Sequence, residues 1–169
     1  MSDAPRRGGP PRPRLPLLDR LIDDAPDRPE DPPLSAADAL DALRRSVGRD
    51  LQWLLNTRRH WRSLPAALRG LEVSPLGYGL PDFAAGAFQD PGRREALRRE
   101  VEETIRRFET RFLSLRVTLA EAEDTLSGTL RLRIDALLRA EPAPEPIGFV
   151  TLLDPATDEV TVHETHGVG

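Results

Sequence analysis

The chain has 169 residues, enough for one compact domain with a tail, and its hydrophobic fraction is 38% with only 5% aromatic residues. The formal net charge of −4 argues against a nucleic-acid partner, because affinity for nucleic acids comes mainly from neutralising phosphates. The absence of cysteine excludes disulfides, thiolate catalysis and zinc sites with cysteine ligands.

Proline dominates the beginning of the chain: residues 1–33 contain nine of the 17 prolines. Because proline removes a backbone donor and blocks helix interiors, we predict a disordered tail here. Residues 15–22 are its one apolar island, which we interpret as a docking segment that orders on a partner; a solvated linker is the alternative. The residues that we expect to make this contact are Leu17, Leu18, Arg20 and Leu21.

A domain over residues 34–164 is predicted to follow, with a C-terminal tail at 165–169. Ser35 and Asp38 form a capping box, after which apolar residues recur at spacings of three and four. This pattern predicts an amphipathic helix over about residues 36–58. The apolar stripe consists of Leu40, Leu43, Val47, Leu51 and Leu54.

The segment 62–91 is rich in proline and glycine and is predicted to be irregular. Asp90 and Pro91 then start a second helix, with a buried stripe that continues to Phe108. Acidic and basic residues four apart on this helix are typical of a solvated face with ion pairs. Alternation then predicts strands at 113–119 and 129–134, joined as a hairpin.

Two further strands are predicted near the C-terminus. Ile147–Leu153 is apolar on both faces, which indicates a strand covered on both sides, and Val160–His163 is a short last strand. The order of elements predicts an α+β fold with two main helices packed on a small, mostly antiparallel sheet of about four strands.

Catalytic chemistry is not indicated. His163 and His166 are three apart at a strand end, whereas a zincin needs two histidines four apart on a helix, so we interpret them as part of a polar tail. His60 has no nucleophile in a recognisable setting. We therefore expect no catalytic residue, no cofactor and no metal. No apolar run reaches the ~18 residues of a membrane span and no signal peptide is visible, so we expect a cytoplasmic protein.

Four ordered motifs carry the remaining information. They are Asp50–Arg59, Leu76–Phe83, Phe108–Leu113, and the pair Leu132–Leu138 with Glu145–Phe149. Together with the tail island, this set resembles the TssE family, the wedge subunit of the type VI secretion baseplate. That family is similar to the phage tail baseplate wedge protein beneath the contractile sheath.

The resemblance implies a structural, non-enzymatic subunit that contacts other wedge subunits and contractile sheath subunits at the inner face of the cell envelope. It implies no nucleic acid, no direct membrane insertion and no small-molecule substrate. A soluble adaptor of the same fold and a subunit of a related phage-tail-like particle stay open as alternatives. Beyond the tail island, the expected interaction residues are Asn56, Arg58, Tyr78, Asp82, Glu109, Arg111, Arg116 and Val162.

The family signature Glu-Pro-Arg at the helix–strand junction reads Glu109-Thr110-Arg111 in this chain. If a strand begins near Glu109, then one face is shared by Glu109, Arg111, Leu113, Leu115 and Val117. The two charges can pair within the chain or contact a neighbouring subunit, and these alternatives do not exclude each other. We also expect the last strand or the strand at 113–119 to offer a free edge to the sheath, with Arg116, Arg131 and Arg133 helping orientation.

Overall fold

The computed structural model describes residues 17–21, 27, 35–59, 66–82, 90–120, 129–154 and 157–165. Most of the predicted tail, His60 and His166 lie outside these residues. The elements in chain order are α1 (Leu17–Leu21), α2 (Ala36–Asn56), β1 (Arg58–Arg59), 3-10 helices at Ala66–Val73 and Pro75–Gly77, β2 (Leu80–Pro81), α3 (Pro91–Phe108), β3 (Phe112–Leu119), β4 (Leu130–Leu138), β5 (Glu145–Leu153) and β6 (Val160–Thr165).

Both long helices begin at the predicted caps. The Oγ of Ser35 accepts a hydrogen bond from the amide of Asp38 at 3.1 Å and donates to its carboxylate at 2.6 Å. The carboxylate of Asp90 accepts from the amide of Arg93 at 3.1 Å at the start of α3. Helix α2 ends at Asn56, two residues earlier than expected, because Thr57 is already extended.

A four-stranded antiparallel sheet in the order β3-β4-β5-β6 confirms the predicted α+β fold. Helices α2 and α3 cover one face, and the core lies between them and the sheet. Its largest fully buried side chains are Phe149, Leu51, Leu55, Leu80, Leu97, Ile105, Leu132, Ile134, Leu138, Val47, Val101 and Val117. The edge strands of the sheet are β3 and β6. Helix α3 packs on β3 and helix α2 packs on β6, so a helix lies near each edge.

Strand β5 is covered on one face, so the prediction of cover on both sides was wrong. Phe149 and Thr151 are buried, whereas their neighbours Val150 and Leu152 are partly exposed on the opposite face. The prediction rested on the apolar residues on both faces of this strand, and such a pattern alone does not show whether each face is covered.

The sequence did not predict the short parallel pair of β1 and β2. Gly79, at a φ of 97°, turns the chain into β2, where the Leu80 amide donates to the Thr57 carbonyl at 2.9 Å. Arg59 fastens the pair to α3 through a 2.7 Å contact with Glu100. The pairing of β2 with β1 thus holds the segment between α2 and α3 against the end of α2.

Replacement of Gly79 by alanine is expected to lower the free energy of unfolding by about 2 kcal/mol or more. A side chain is strained at this φ, and its Cβ would lie 2.3 Å from the Thr57 carbonyl oxygen. Denaturant unfolding measures the loss. The matched control is Gly70→Ala, where a Cβ would meet no atom within 4 Å, and its effect should stay within about 1 kcal/mol. Equal effects of the two substitutions would contradict this account.

Candidate protein-interaction surfaces

A charged cluster lies where α3 turns into β3. We call Ser46, Asp50, Glu109 and Arg111 the junction cluster. The Arg111 guanidinium donates to Glu109 Oε1 at 2.7 Å, to Asp50 Oδ2 at 2.6 Å and to Ser46 Oγ at 3.2 Å. It also donates to Glu109 Oε2. A planar fork of donors suits this arrangement, because it meets two carboxylates at once.

The junction cluster is partly buried, since the side chains of Arg111 and Asp50 are 23% and 31% exposed. The side chain of Glu109 is 6% exposed. Burial disfavours the charged form of Arg111, but the hydrogen bonds and charges of Glu109 and Asp50 outweigh it and raise the pKa of Arg111. Of the two predicted alternatives, the structure therefore contains the intramolecular pair. Contact of either residue with another subunit stays a prediction.

The predicted common face of Glu109, Arg111 and Leu113 was wrong. The strand begins at Phe112, and its register with β4 shifts between Phe112 and Ser114. Leu113 is consequently 46% exposed, whereas Glu109 is buried. A turn and an irregularity in the ladder break the alternation that the sequence pattern assumed.

A cavity of about 360 Å³ adjoins the junction cluster. The rings of Tyr78 and Phe108 meet edge to face there, with centroids 5.2 Å apart. Burial, and then the charges of Asp50 and Glu109, raise the pKa of Tyr78, so its hydroxyl stays neutral. The exposed residue Thr110 also lines the cavity.

The island of the tail contacts α2 within the same chain. The Asp19 carboxylate accepts from Arg49 at 2.7 Å, and the Arg49 guanidinium lies 5.2 Å from the ring centroid of Trp53. Leu18, Leu21 and Trp53 are 46%, 72% and 52% exposed. Whether this segment also orders on a partner stays a prediction. The side chains of Leu17 and Arg20 lie outside the described residues.

Helix α2 holds the beginning of β6. Asn56 donates to the Val160 carbonyl at 2.7 Å and accepts from the Val160 amide at 2.9 Å. Gln52 donates to the same carbonyl at 2.6 Å and accepts from the Val162 amide at 2.8 Å. Arg58 donates to the carbonyl of Asp158, just before the strand. The sequence analysis did not select Gln52, because nothing local marks a partner more than a hundred residues away.

A groove of about 630 Å³ runs between α3 and the outer edge of β3. Arg98 donates to the Val117 carbonyl at 3.0 Å. Two further contacts are long: Val117 donates its amide to Glu102 at 3.5 Å, and Arg106 donates to the Leu115 carbonyl at 3.4 Å. We call this feature the β3 groove. Its lining residues are Glu95, Arg98, Glu102, Leu115, Arg116, Val117, Thr118 and Leu119.

The remaining expected residues lie apart from one another. Asp82 is exposed after β2, Arg116 is exposed on the uncovered face of the sheet, and Val162 is partly buried in β6. Within the described ranges, no group of three or more acidic or histidine side chains is placed to hold a metal ion. No described helix is both long and apolar enough to cross a bilayer.

Comparison with known proteins adds the following findings. The family model described as "Baseplate wedge protein gp25" matches residues 41–143, from within α2 to beyond β4. One solved chain, from "The baseplate complex from the type VI secretion system", is 18% identical with a TM-score of 0.46; the alignment covers 75% of this chain and 97% of that chain. No curated protein matches significantly. The family match confirms the resemblance to baseplate wedge proteins.

Substitution of Glu109 by glutamine should lower the free energy of unfolding by about 2 kcal/mol, because the partly buried Arg111 keeps Asp50 but loses its second carboxylate. Chemical denaturation of both proteins measures the difference. The control is Asp41→Asn, which removes a 3.9 Å ion pair with Arg44. Because the Asp41 side chain is 59% exposed, the free energy of unfolding should fall by less than about 1 kcal/mol. A loss below this limit for Glu109→Gln would mean that the junction cluster does not stabilise the fold.

The contact of α1 with α2 should depend on pH in the acid range. The hydrogen bond from Arg49 lowers the pKa of Asp19. Its stabilisation is therefore complete above the ordinary value of about 3.9 and is lost as the pH falls through the lowered pKa. The indole NMR signal of Trp53 should shift with a midpoint below about 3.9. The Asp19→Asn variant should lack this transition; its persistence there would assign it to another group.

Proposed function

We propose that this chain, which belongs to the baseplate wedge protein gp25 family, is a structural baseplate subunit of a type VI secretion system. It binds other wedge subunits, helps to initiate the contractile sheath and catalyses no reaction. The family match over residues 41–143 carries the baseplate role. The tail island and the motif at Asp50–Arg59 favour the baseplate role over a soluble adaptor, and the resemblance to TssE supports the assignment to a secretion system. Assembly takes place in the cytoplasm at the inner face of the envelope.

The wedge contact is assigned to the cavity beside the junction cluster. Glu109 and Arg111 bind each other and Asp50, so their task is to fix the wall of this cavity rather than to reach outward. Tyr78 and Thr110 supply the wall that a neighbouring subunit meets. A rigid apolar ring next to a fixed charge pair gives orientation as well as contact area.

The sheath contact is assigned to the outer edge of β3. The β3 groove leaves room along this edge, and two of the three side-chain contacts to it, at 3.4 and 3.5 Å, are long. Leu113 and Leu119 on β3 are 46% and 38% exposed. An extended segment of a sheath subunit gains backbone hydrogen bonds on such an edge and places its apolar side chains against these leucines. Arg116 stands beside the same edge and helps to orient the segment.

Proline at Val117 tests this assignment in cells with a fluorescent sheath. The Val117 amide faces away from β4, so proline removes no hydrogen bond of the ladder while its ring obstructs an added strand. Because proline also replaces a buried side chain and removes the amide contact with Glu102, circular dichroism of the purified variant checks its fold first. Sheath foci should be lost although the protein stays soluble and enters baseplates. The matched variant Val162→Pro, on the other edge, should keep its foci.

The outcomes of this experiment separate the alternatives. Loss of foci with Val162→Pro alone would move the contact to β6, and normal sheaths with both variants would reject edge pairing altogether. A cell that fires its injection apparatus normally after deletion of the gene would reject the baseplate role itself.

A further inference from the structure

The outer edge of β6 carries a second, distinct arrangement, which we call the amide clamp and which consists of Gln52 and Asn56. Strand β6 pairs with β5 on one side, with Thr161 opposite Leu152 and His163 opposite Val150. Backbone groups of a strand point alternately to its two sides. Since Val160 uses both its amide and its carbonyl for α2 side chains, the outward-pointing residues of β6 are Val160, Val162 and Glu164.

The amide clamp occupies these outward groups in the manner of an added strand. Asn56 bonds both the amide and the carbonyl of Val160, as a residue of an antiparallel neighbour would. Gln52 bonds the Val160 carbonyl and the Val162 amide, as a residue of a parallel neighbour would. Asn56 also donates to the backbone carbonyl of Gln52 at 2.8 Å, which fixes the Asn56 amide on its own helix.

We propose that the amide clamp guards β6 against pairing with the β6 strand of a second copy of this chain. The edge is short, contains β-branched residues and is self-complementary, which are the properties of a two-fold antiparallel contact. Centred on Val162, such a contact would pair Val160 with Glu164 of the second copy. Every hydrogen bond between the two strands would then need the Val160 amide or carbonyl or the Val162 amide, and the clamp occupies all of these.

The guard is independent of the proposed function, because it concerns the free chain and requires no sheath. It explains why amide side chains stand at this place: they satisfy donors and acceptors at once, whereas a carboxylate or a guanidinium satisfies one kind alone. The clamp also lies on α2, a helix whose other face is buried in the core, so that it opens only when two side chains rotate or the helix moves.

Amide hydrogen exchange of the purified full chain tests whether the clamp forms. The outward amides of Val160 and Val162 should be protected, while the outward amide of Glu164, which lies beyond the clamp, should exchange at least about tenfold faster. In the double variant Gln52→Ala/Asn56→Ala, diluted until it is monomeric, protection of Val160 and Val162 should fall by a similar factor, with Thr161 and His163 unchanged. Equal exchange of all three outward amides in the unsubstituted chain would overturn the proposal.

Sedimentation as a function of concentration tests what the clamp excludes. The unsubstituted chain should remain a monomer where Gln52→Ala/Asn56→Ala forms dimers. Adding Glu164→Pro, which removes an outward amide without touching the pairing with β5, should return the double variant to a monomer, and Glu164→Pro alone should stay monomeric. A double variant that has lost amide protection and remains monomeric would overturn the proposal. So would dimers that persist in the triple variant, since they would form elsewhere.

Discussion

A sheet of four strands that is not closed has two borders whose backbone groups need partners, and this constraint organises the molecule. Each border is met by the helix that packs nearest to it: α2 reaches β6 with Gln52 and Asn56, and α3 reaches β3 with Arg98, Glu102 and Arg106. The same helices supply the core with their opposite faces. Burial of apolar side chains therefore positions the polar side chains that cover the edges.

The junction cluster has a comparable role between the layers. It links α2 to the turn between α3 and β3 through charges that would be costly if left unpaired in a buried position. It also explains how the chain turns at Thr110, where the resemblance to TssE predicts proline: the Glu109 carboxylate accepts from the Arg111 amide at 3.0 Å, which fixes the backbone across this exposed residue. A side-chain contact thus supplies the local order that a proline ring would have supplied through its restricted φ.

The helices and strands whose apolar residues repeat at regular spacing could be predicted from the sequence. The features that depend on polar contacts between distant residues could not. The stripe from Leu43 to Leu54 and the alternation from Leu130 to Ile134 reported α2 and β4 correctly, since helix and strand geometry repeat along the chain. Asn56 was selected for its unusual place at a helix end, but its partner Val160 has no local signal. The sequence analysis selected Glu109 and Arg111 as charged residues of the junction. It did not predict the burial of Glu109, because this depends on the turn at Thr110 and on the irregular strand pairing that follows.

The two edges differ in chemistry, and this difference has a consequence for assembly. Neutral amides hold β6 through bonds of 2.6 to 2.9 Å. At β3 the Arg98 bond is 3.0 Å, but the other two contacts are 3.4 and 3.5 Å, and all three come from charged side chains that water also binds well. A subunit whose β6 edge were also receptive would pair with a second copy of itself through the two-fold contact described above. The proposed guard at β6 and the proposed sheath contact at β3 instead give a unit that can begin a series of strand additions but cannot be inserted within it. This asymmetry is what a subunit needs if it stands at the first ring of a polymer built from a different protein.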